Sequence, residues 1–443
     1  MILQAGKIKA MKTIKYLCGM LAVLAFTACS NSDEDVVIGN SHLCYVTIEA
    51  SMDGANTRTL AEGEGNALTA SFAVGEKVMV VDAEDYLIGT LTAQTAGAST
   101  TLAGAIDTEY LSAGEVVKLR YLNYEANYDG QDGTLDGIAA GQDYAEGTLT
   151  VSSKDPLTFT SNSVTLSSKQ SITKFSFTDG SNPVSVKTFG IAASGLVQSI
   201  EINGEETVGA VTGTLSAASS DVYVALRNSS GKQTYSFYVS DASGNWYTGT
   251  KSANLANGKN YTANVALTQL PTLSASPAVG DVGVLNGQPA IVVEISSTKK
   301  AVALMNAGAL CPEHYGGYYT FTDRASALSD GWYVPTKAEL DALIGISNTW
   351  TAQYGVNGRQ FTFGSNTLFL PAGGFKDNDN DNNNNDSKPD FGYAWVGDYG
   401  YYWSSDTSSD NLAYCLRFKD TATNTYSEYQ VNALSVRPFH ALP

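Results

Sequence analysis

From His42 to Leu267 the apolar positions recur every second residue and almost nowhere every third or fourth. Val222, Val224 and Leu226 alternate with Tyr223, Ala225 and Arg227, and Val117, Leu119 and Tyr121 alternate with Val116, Lys118 and Arg120. Successive side chains of a strand point to opposite faces, so each run predicts a strand with one face on a core. Asn203-Gly204 and Asn257-Gly258 supply the left-handed positions of tight hairpins, and clusters of Gly, Ser, Asn and Asp separate the runs at strand-length intervals. The pattern predicts antiparallel β-sandwiches. It is longer than one small sandwich needs, and the loop-like segment Asp129 to Tyr144, followed by Leu149 to Phe159, divides it into residues 42–158 and 159–270.

The pattern then changes. Residues 271–279 are rich in Pro, Ser and Ala without periodicity and read as a linker. Behind them, residues 280–443 hold Trp332, Trp350, Trp395 and Trp403, four of the five tryptophans. Thr336-Lys337-Ala338-Glu339 is a capping box, followed by Leu340, Leu343 and Ile344 on one helical face and then by Gly345. A shorter helix is predicted over Asp323 to Leu328. Strands are predicted at Ile291 to Ile295 after Asn286-Gly287, at Gln360 to Phe363 after Asn357-Gly358, and at Ala413 to Phe418. The chain is therefore expected to be mainly β, with a compact α+β unit at its end.

The first residues follow a different rule. Lys12 and Lys15 precede an apolar run from Leu17 to Phe26 that breaks into Thr27, Ala28 and Cys29, the order of a secretory signal over residues 1–28. The run is too short to span a bilayer. A small residue followed by Cys resembles a bacterial lipobox, with Phe26 where Leu is usual. That resemblance makes Cys29 the lipidated N-terminus. The acidic tether of residues 29–41, with Ser30-Asn31-Ser32-Asp33-Glu34-Asp35, looks like a signal for export to the surface of the outer membrane. The alternative is simple secretion, with Cys29 a spare thiol.

The 443 residues carry a formal charge of −18, with no Lys or Arg cluster beyond the signal. Such acidity repels phosphate backbones and argues against a nucleic-acid partner. No later apolar stretch is long enough to cross a membrane, so lipid is the expected anchor.

Two family resemblances follow. Asn56-Thr57-Arg58-Thr59, Val74-Gly75-Glu76-Lys77-Val78-Met79-Val80, Ile172 to Phe177, Asp221 to Arg227 and Leu255 to Tyr261 resemble, in order and spacing, the fimbrillin (Mfa-like) pilus subunits. Phe72 and Glu76 stand where that family usually has Trp and Asp. The resemblance implies two tandem transthyretin-like sandwiches and a pilus subunit that takes strands from its neighbours. Asp330 to Leu340, Leu370-Pro371-Ala372-Gly373-Gly374, Tyr402-Trp403-Ser404-Ser405 and Leu434 to Pro438 look like the major paralogous domains with a C-type-lectin-like fold. That resemblance implies a ligand- or glycan-binding head. Asp330 and Pro438 occupy the places where the family often has Cys, so its disulfide is not implied here.

Candidate sites are few. His42, His314 and His440 have no partners at zinc-ligand spacing, and neither a nucleophile elbow nor a phosphate loop is present, so the chain reads as a non-enzyme that requires no cofactor. Arg58 is the candidate processing site: the resemblance implies a cut that removes a first strand over Cys44 to Met52, and the alternative is an exposed arginine in a turn. Asp377, Asp379 and Asp381, in an Asn/Asp tract that runs to Asp390, alternate as calcium ligands would, although a solvated loop explains them equally well. Tyr393, Trp395, Tyr399 and Tyr401 are the candidate sugar-stacking residues, whereas Trp403 reads as core. Cys311 and Cys415 are either a bridge or two buried thiols.

The reading that unites these features is an adhesive subunit at the tip of a surface pilus. Its partners would be other pilus subunits and a glycan or surface protein. The competing reading is a surface lipoprotein that binds glycan or host protein without polymerising.

Overall fold

A computed structural model describes residues 42–53, 61–62, 68–69, 71–121, 126–200, 206–228, 231–377 and 392–443. Cys29, Arg58, Asn203-Gly204, Asp379 and Asp381 lie outside the described residues. The described chain is mainly β.

The first sheet is closed. Its strands run in the order Leu157–Phe159, Ala145–Lys154, Ser163–Ser168, Leu43–Asp53, Ser99–Asp107, Leu87–Ala93, Lys77–Val81, Val116–Tyr121, and the last pairs back onto Ala145–Lys154. Closure leaves little bare strand edge. Val117, Leu119 and Tyr121 point into the core with Val78, Val80, Leu91 and Leu102, as the period of two requires. Glu76 is also buried, and there it accepts hydrogen bonds from the Ala73 amide (2.9 Å) and the Tyr121 hydroxyl (2.8 Å).

The strand Leu43–Asp53, hereafter β1, pairs antiparallel with Ser99–Asp107 and parallel with Ser163–Ser168. The second sheet repeats this arrangement: its first strand, Ser171–Asp179, pairs antiparallel with Asp221–Asn228 and parallel with its last, Asn260–Gln269. Neither sheet is therefore the purely antiparallel one that the hairpin signals predicted. Each brings its first strand beside its last, and two strands that enter from the same end must run in the same direction.

The division between the two sheets also differs from the expected residue 158. Ser163–Ser168 belongs to the first sheet, which moves the division to the turn before Ser171. Conversely, Ala126–Asn127 pairs with Leu196–Ile200 of the second sheet. The segment expected to be a loop contains a helix, α1 (Leu135–Gly141), capped by Thr134, whose Ile138 and Ala139 pack in the second core with Tyr128 and Tyr144. Two glycines within seven residues obscured its periodicity.

In the last third, α2 (Lys337–Ile344) has its capping box formed: Glu339 N donates to Thr336 Oγ1 (3.2 Å) and Thr336 N to Glu339 Oε2 (2.8 Å). Leu340 and Leu343 are buried beneath it. Asp323 to Leu328 is not a helix but successive turns, each closed by a bond from residue i+3 to i, as in Ser326 N to Asp323 O (2.9 Å). Asn286-Gly287 makes the expected two-residue hairpin, with φ values of 47° and 76°. Asn357-Gly358 does not: the turn falls three residues earlier at Tyr354-Gly355, and Gly358 sits inside Val356–Phe363. There a Cβ would lie 2.3 Å from the Leu370 carbonyl and 2.6 Å from the Phe369 ring, so Gly358 answers to a close approach, not to a turn.

The expected linker is pinned. Thr272 bridges to Val284, and Leu273 packs beside Trp332. Behind it Trp246 of the second sheet packs on Met305 and Ala309 and donates from its indole to the Gly287 carbonyl (2.9 Å). Gly190 lies so close to the facing chain that a Cβ would meet the Leu310 carbonyl at 2.6 Å.

Arg437, from the segment Leu434 to Pro438, is fully buried and donates to the carbonyls of Ala303 (3.0 Å) and Phe369 (2.9 Å). Arg437→Ala would orphan both carbonyls and leave a cavity, and we expect a loss of about 3 kcal/mol in urea unfolding.

Candidate functional site

Three places hold the residues of interest. The first is the seat of β1. Ile48 and Ala50 are buried, Cys44, Val46 and Met52 are half-buried on the same row, and Tyr45, Thr47 and Glu49 are exposed. Alternation of this kind places an apolar row in a slot between two strands, with the main chain paired to Ser99–Asp107 over Leu43 to Ser51 and to Ser163–Ser168 over Glu49 to Asp53. The strand expected over Cys44 to Met52 is thus formed, while Arg58, some residues beyond its end, lies outside the described residues.

The second is the aromatic group of the last third. Trp395 has 42% of its surface exposed and a left-handed backbone (φ 56°), with its ring 5.3 Å from that of Tyr399 and 5.7 Å from that of Phe375. Tyr399 is half-buried, and Tyr393 pairs through its main chain with Lys376. Tyr401 corrects the expectation of exposure. It is buried, its ring centroid 5.1 Å from Phe375, because both faces of Gly400–Thr407 are covered at this end: Tyr401 and Trp403 pack in one core and Tyr402 in another. Trp403 is core, as expected, and donates from its indole to the Tyr319 carbonyl (2.7 Å).

Other candidates separate. Asp377 is buried at the end of Phe375–Asp377, while Asp379 and Asp381 lie outside the described residues. Among the described residues no group of three metal-ligating side chains converges. Cys311 and Cys415 are free thiols in different apolar clusters, Cys311 against Ala192 and Ala210 and Cys415 beside Trp403 and Phe375, so the bridge is not made. Burial raises both thiols well above their ordinary range.

The third place was not singled out in the sequence. A cavity of about 680 Å³ opens between the second sheet and the last third. One wall is a row across three paired strands: Ser199 stands opposite Thr207 on one side and Asn127 on the other. The facing wall is His314 to Tyr318, with Lys376 and Val396. His314 joins the walls: its Nε2 donates to Asp129 Oδ2 (2.9 Å), its Nδ1 accepts from Gly316 N (3.0 Å), and Asp129 Oδ1 accepts from Thr212 N (2.9 Å) and Oγ1 (2.6 Å). Burial pushes the Asp129 carboxyl up, but the His314 and Thr212 bonds outweigh it and hold it below its ordinary range. The only sequence signal was a histidine without a zinc partner. Its true partner is 185 residues away.

Comparison with known proteins is sparing. Residues 364–439 match a family described as a domain of unknown function (DUF8237). No curated protein matches the chain. Among solved structures, a fimbrial protein from Bacteroides ovatus is similar at 11% identity over 89% of this chain and 99% of its own, with a TM-score of 0.22. A fimbrial assembly protein from Parabacteroides distasonis is similar at 11% identity over 59% of this chain and 95% of its own, with a TM-score of 0.23. Likeness at these TM-scores carries no argument about fold or role.

Proposed function

We propose that the chain is an adhesive subunit of a bacterial surface fibre, exported as a lipoprotein through Cys29 and joined to its neighbours by strand exchange. The observation that carries this reading is the seat of β1. An N-terminal strand completes an otherwise closed sheet, inserts an apolar row into its core, and leads towards Arg58. A cut at Arg58 frees β1 from the rest of the chain. Its loss bares the inner edges of Ser99–Asp107 and Ser163–Ser168 together with the apolar slot, which a neighbour's strand of the same alternation fills. The last third, fixed to the second sheet, serves as the ligand-binding head of a subunit we assign to the fibre tip. Trp395 and Tyr399 offer a sugar ring its exposed stacking surface.

With β1 in place the described strands of the first sheet close on themselves, which favours a monomeric, lipid-anchored state before processing. A lipoprotein that binds glycan or host protein without polymerising is that state made permanent.

Brief treatment with an Arg-specific protease separates the two. The fibre reading expects a new N-terminus at Thr59, and no such cut in Arg58→Ala. The treated chain should then form denaturant-resistant complexes with a strand-donating pilin. An intact Arg58 under conditions that cut other exposed arginines would leave the permanent anchor.

A further inference from the structure

We propose that the cavity between the second sheet and the last third is the binding site for a short neutral oligosaccharide, so that the sandwich and the head bind it jointly. The proposal rests on the glycan-binding reading above and gives it a place that the exposed aromatics alone do not.

The polar groups of the cavity carry the argument. Gln198, Ser199, Thr207 and Lys376 line it, yet among the described residues none of their side chains makes a hydrogen bond or ion pair. Tyr315 lines it too, its hydroxyl likewise unpartnered among those residues. Partly buried polar side chains are usually engaged, as Asp129 on the same cavity is by His314 and Thr212, whereas among the described residues these five are not. Here they converge on one space within the size range of small-molecule sites, about 300–1,000 Å³. Asn127, Ser199 and Thr207 stand in register on neighbouring strands, and directly opposed residues share a face, so the row forms a rigid strip of an amide and two hydroxyls.

The chemistry of the walls selects the ligand. His314 and Asp129 satisfy each other, which leaves Lys376 as the one cation lining the cavity among the described residues. A single lysine in a chain of charge −18 does not suit a nucleotide or a phosphorylated ligand. Amides and hydroxyls give and accept hydrogen bonds, matching vicinal hydroxyl groups. Ile200, Val396, Tyr315 and Tyr318 offer apolar surface to the C–H faces of a sugar ring. Val396 directly follows Trp395, so a glycan that leaves the cavity on that side meets the aromatic group.

The site exists only while both walls are present, so the test uses the chain from Cys29 onward without lipid. Maltotriose, xylotriose and N-acetyllactosamine are titrated by saturation-transfer NMR and calorimetry. At least one should bind. Thr207→Trp, which fills the cavity from an edge strand, and the double variant Gln198→Ala/Ser199→Ala should each weaken it at least tenfold, with thermal unfolding unchanged. Trp395→Ala should weaken it less. Binding that survives both cavity variants within twofold overturns the cavity while leaving a glycan-binding head intact. Silence from all three sugars in the unaltered chain overturns both.

Discussion

A chain shortened to begin at residue 59 is expected to lose the cooperative unfolding of its first sheet and to regain it when a synthetic Leu43–Asp53 peptide is added. The expectation follows from how β1 is held. It is paired along both sides, with the register running from Leu43 opposite Asp107 to Ser51 opposite Ser99, and from Glu49 opposite Ser163 to Asp53 opposite Ser167. Removing it exposes two strand edges and the faces of Val164, Leu166 and Leu102 that Ile48 and Ala50 now cover. Full burial of one large aliphatic side chain is worth roughly 1.5–3 kcal/mol, and β1 seats Ile48 fully and Val46 and Met52 in part. The effect is thus comparable to the stability of a whole small domain.

The peptide separates this account from mere damage by truncation. If β1 behaves as a ligand of its slot, the added peptide restores the calorimetric transition in a saturable way. A peptide with Ile48→Asp should bind at least about 100-fold more weakly, because a carboxylate would enter the apolar slot. A peptide with Thr47→Asp, altered on the exposed face, should bind within a few-fold of the original. A shortened chain that unfolds as the full one does would remove the basis for strand exchange.

How far the sequence revealed this molecule depended on the range of each interaction. Val222, Val224 and Leu226 could be placed in a core because alternation is local, and all three are buried. Thr336 and Glu339 declared the start of α2 for the same reason. The parallel pairing of β1 with Ser163–Ser168 left no local mark, since it joins strands over a hundred residues apart. The pairing of Ala126–Asn127 with the second sheet had none either, and it moved a segment from one sandwich to the other. Tyr401 was misplaced for a related reason. An aromatic run shows surface chemistry in composition, but which member faces inward is set by Phe375 and the sheet register. The cavity was the least legible, because its walls come from residues 127, 199, 207 and 314 and no single stretch announces them.

Raising the pH from 5 to 8 is expected to destabilise the junction between the second sheet and the last third, and Glu313→Gln should remove much of that dependence. Glu313 is 2% exposed, and its Oε2 has no hydrogen-bond partner among the described residues. Burial pushes its carboxyl up to about 7, against a small opposing pull from its own amide. Cys311 and Tyr238 lie within its electrostatic reach, and neither offers a compensating positive charge. The folded form therefore holds the proton to higher pH than the unfolded form, whose ordinary carboxyl titrates near 4.5. Stability is full below about 4.5, falls as pH rises towards 7, and above that carries a penalty of about 3 kcal/mol. Asp143, pushed up to about 8 chiefly by burial and held by Gln170 Nε2 at 3.0 Å, acts in the same direction within the second core, so the variant flattens the slope without abolishing it. Asp129 and Glu146 oppose it at the acid end, where their lowered values make stability fall as they are protonated. Calorimetric midpoints at half-unit steps would show the original chain declining from pH 5 to 8 and Glu313→Gln declining far less. Parallel curves would mean that Glu313 is charged in the fold and that a cation reaches it.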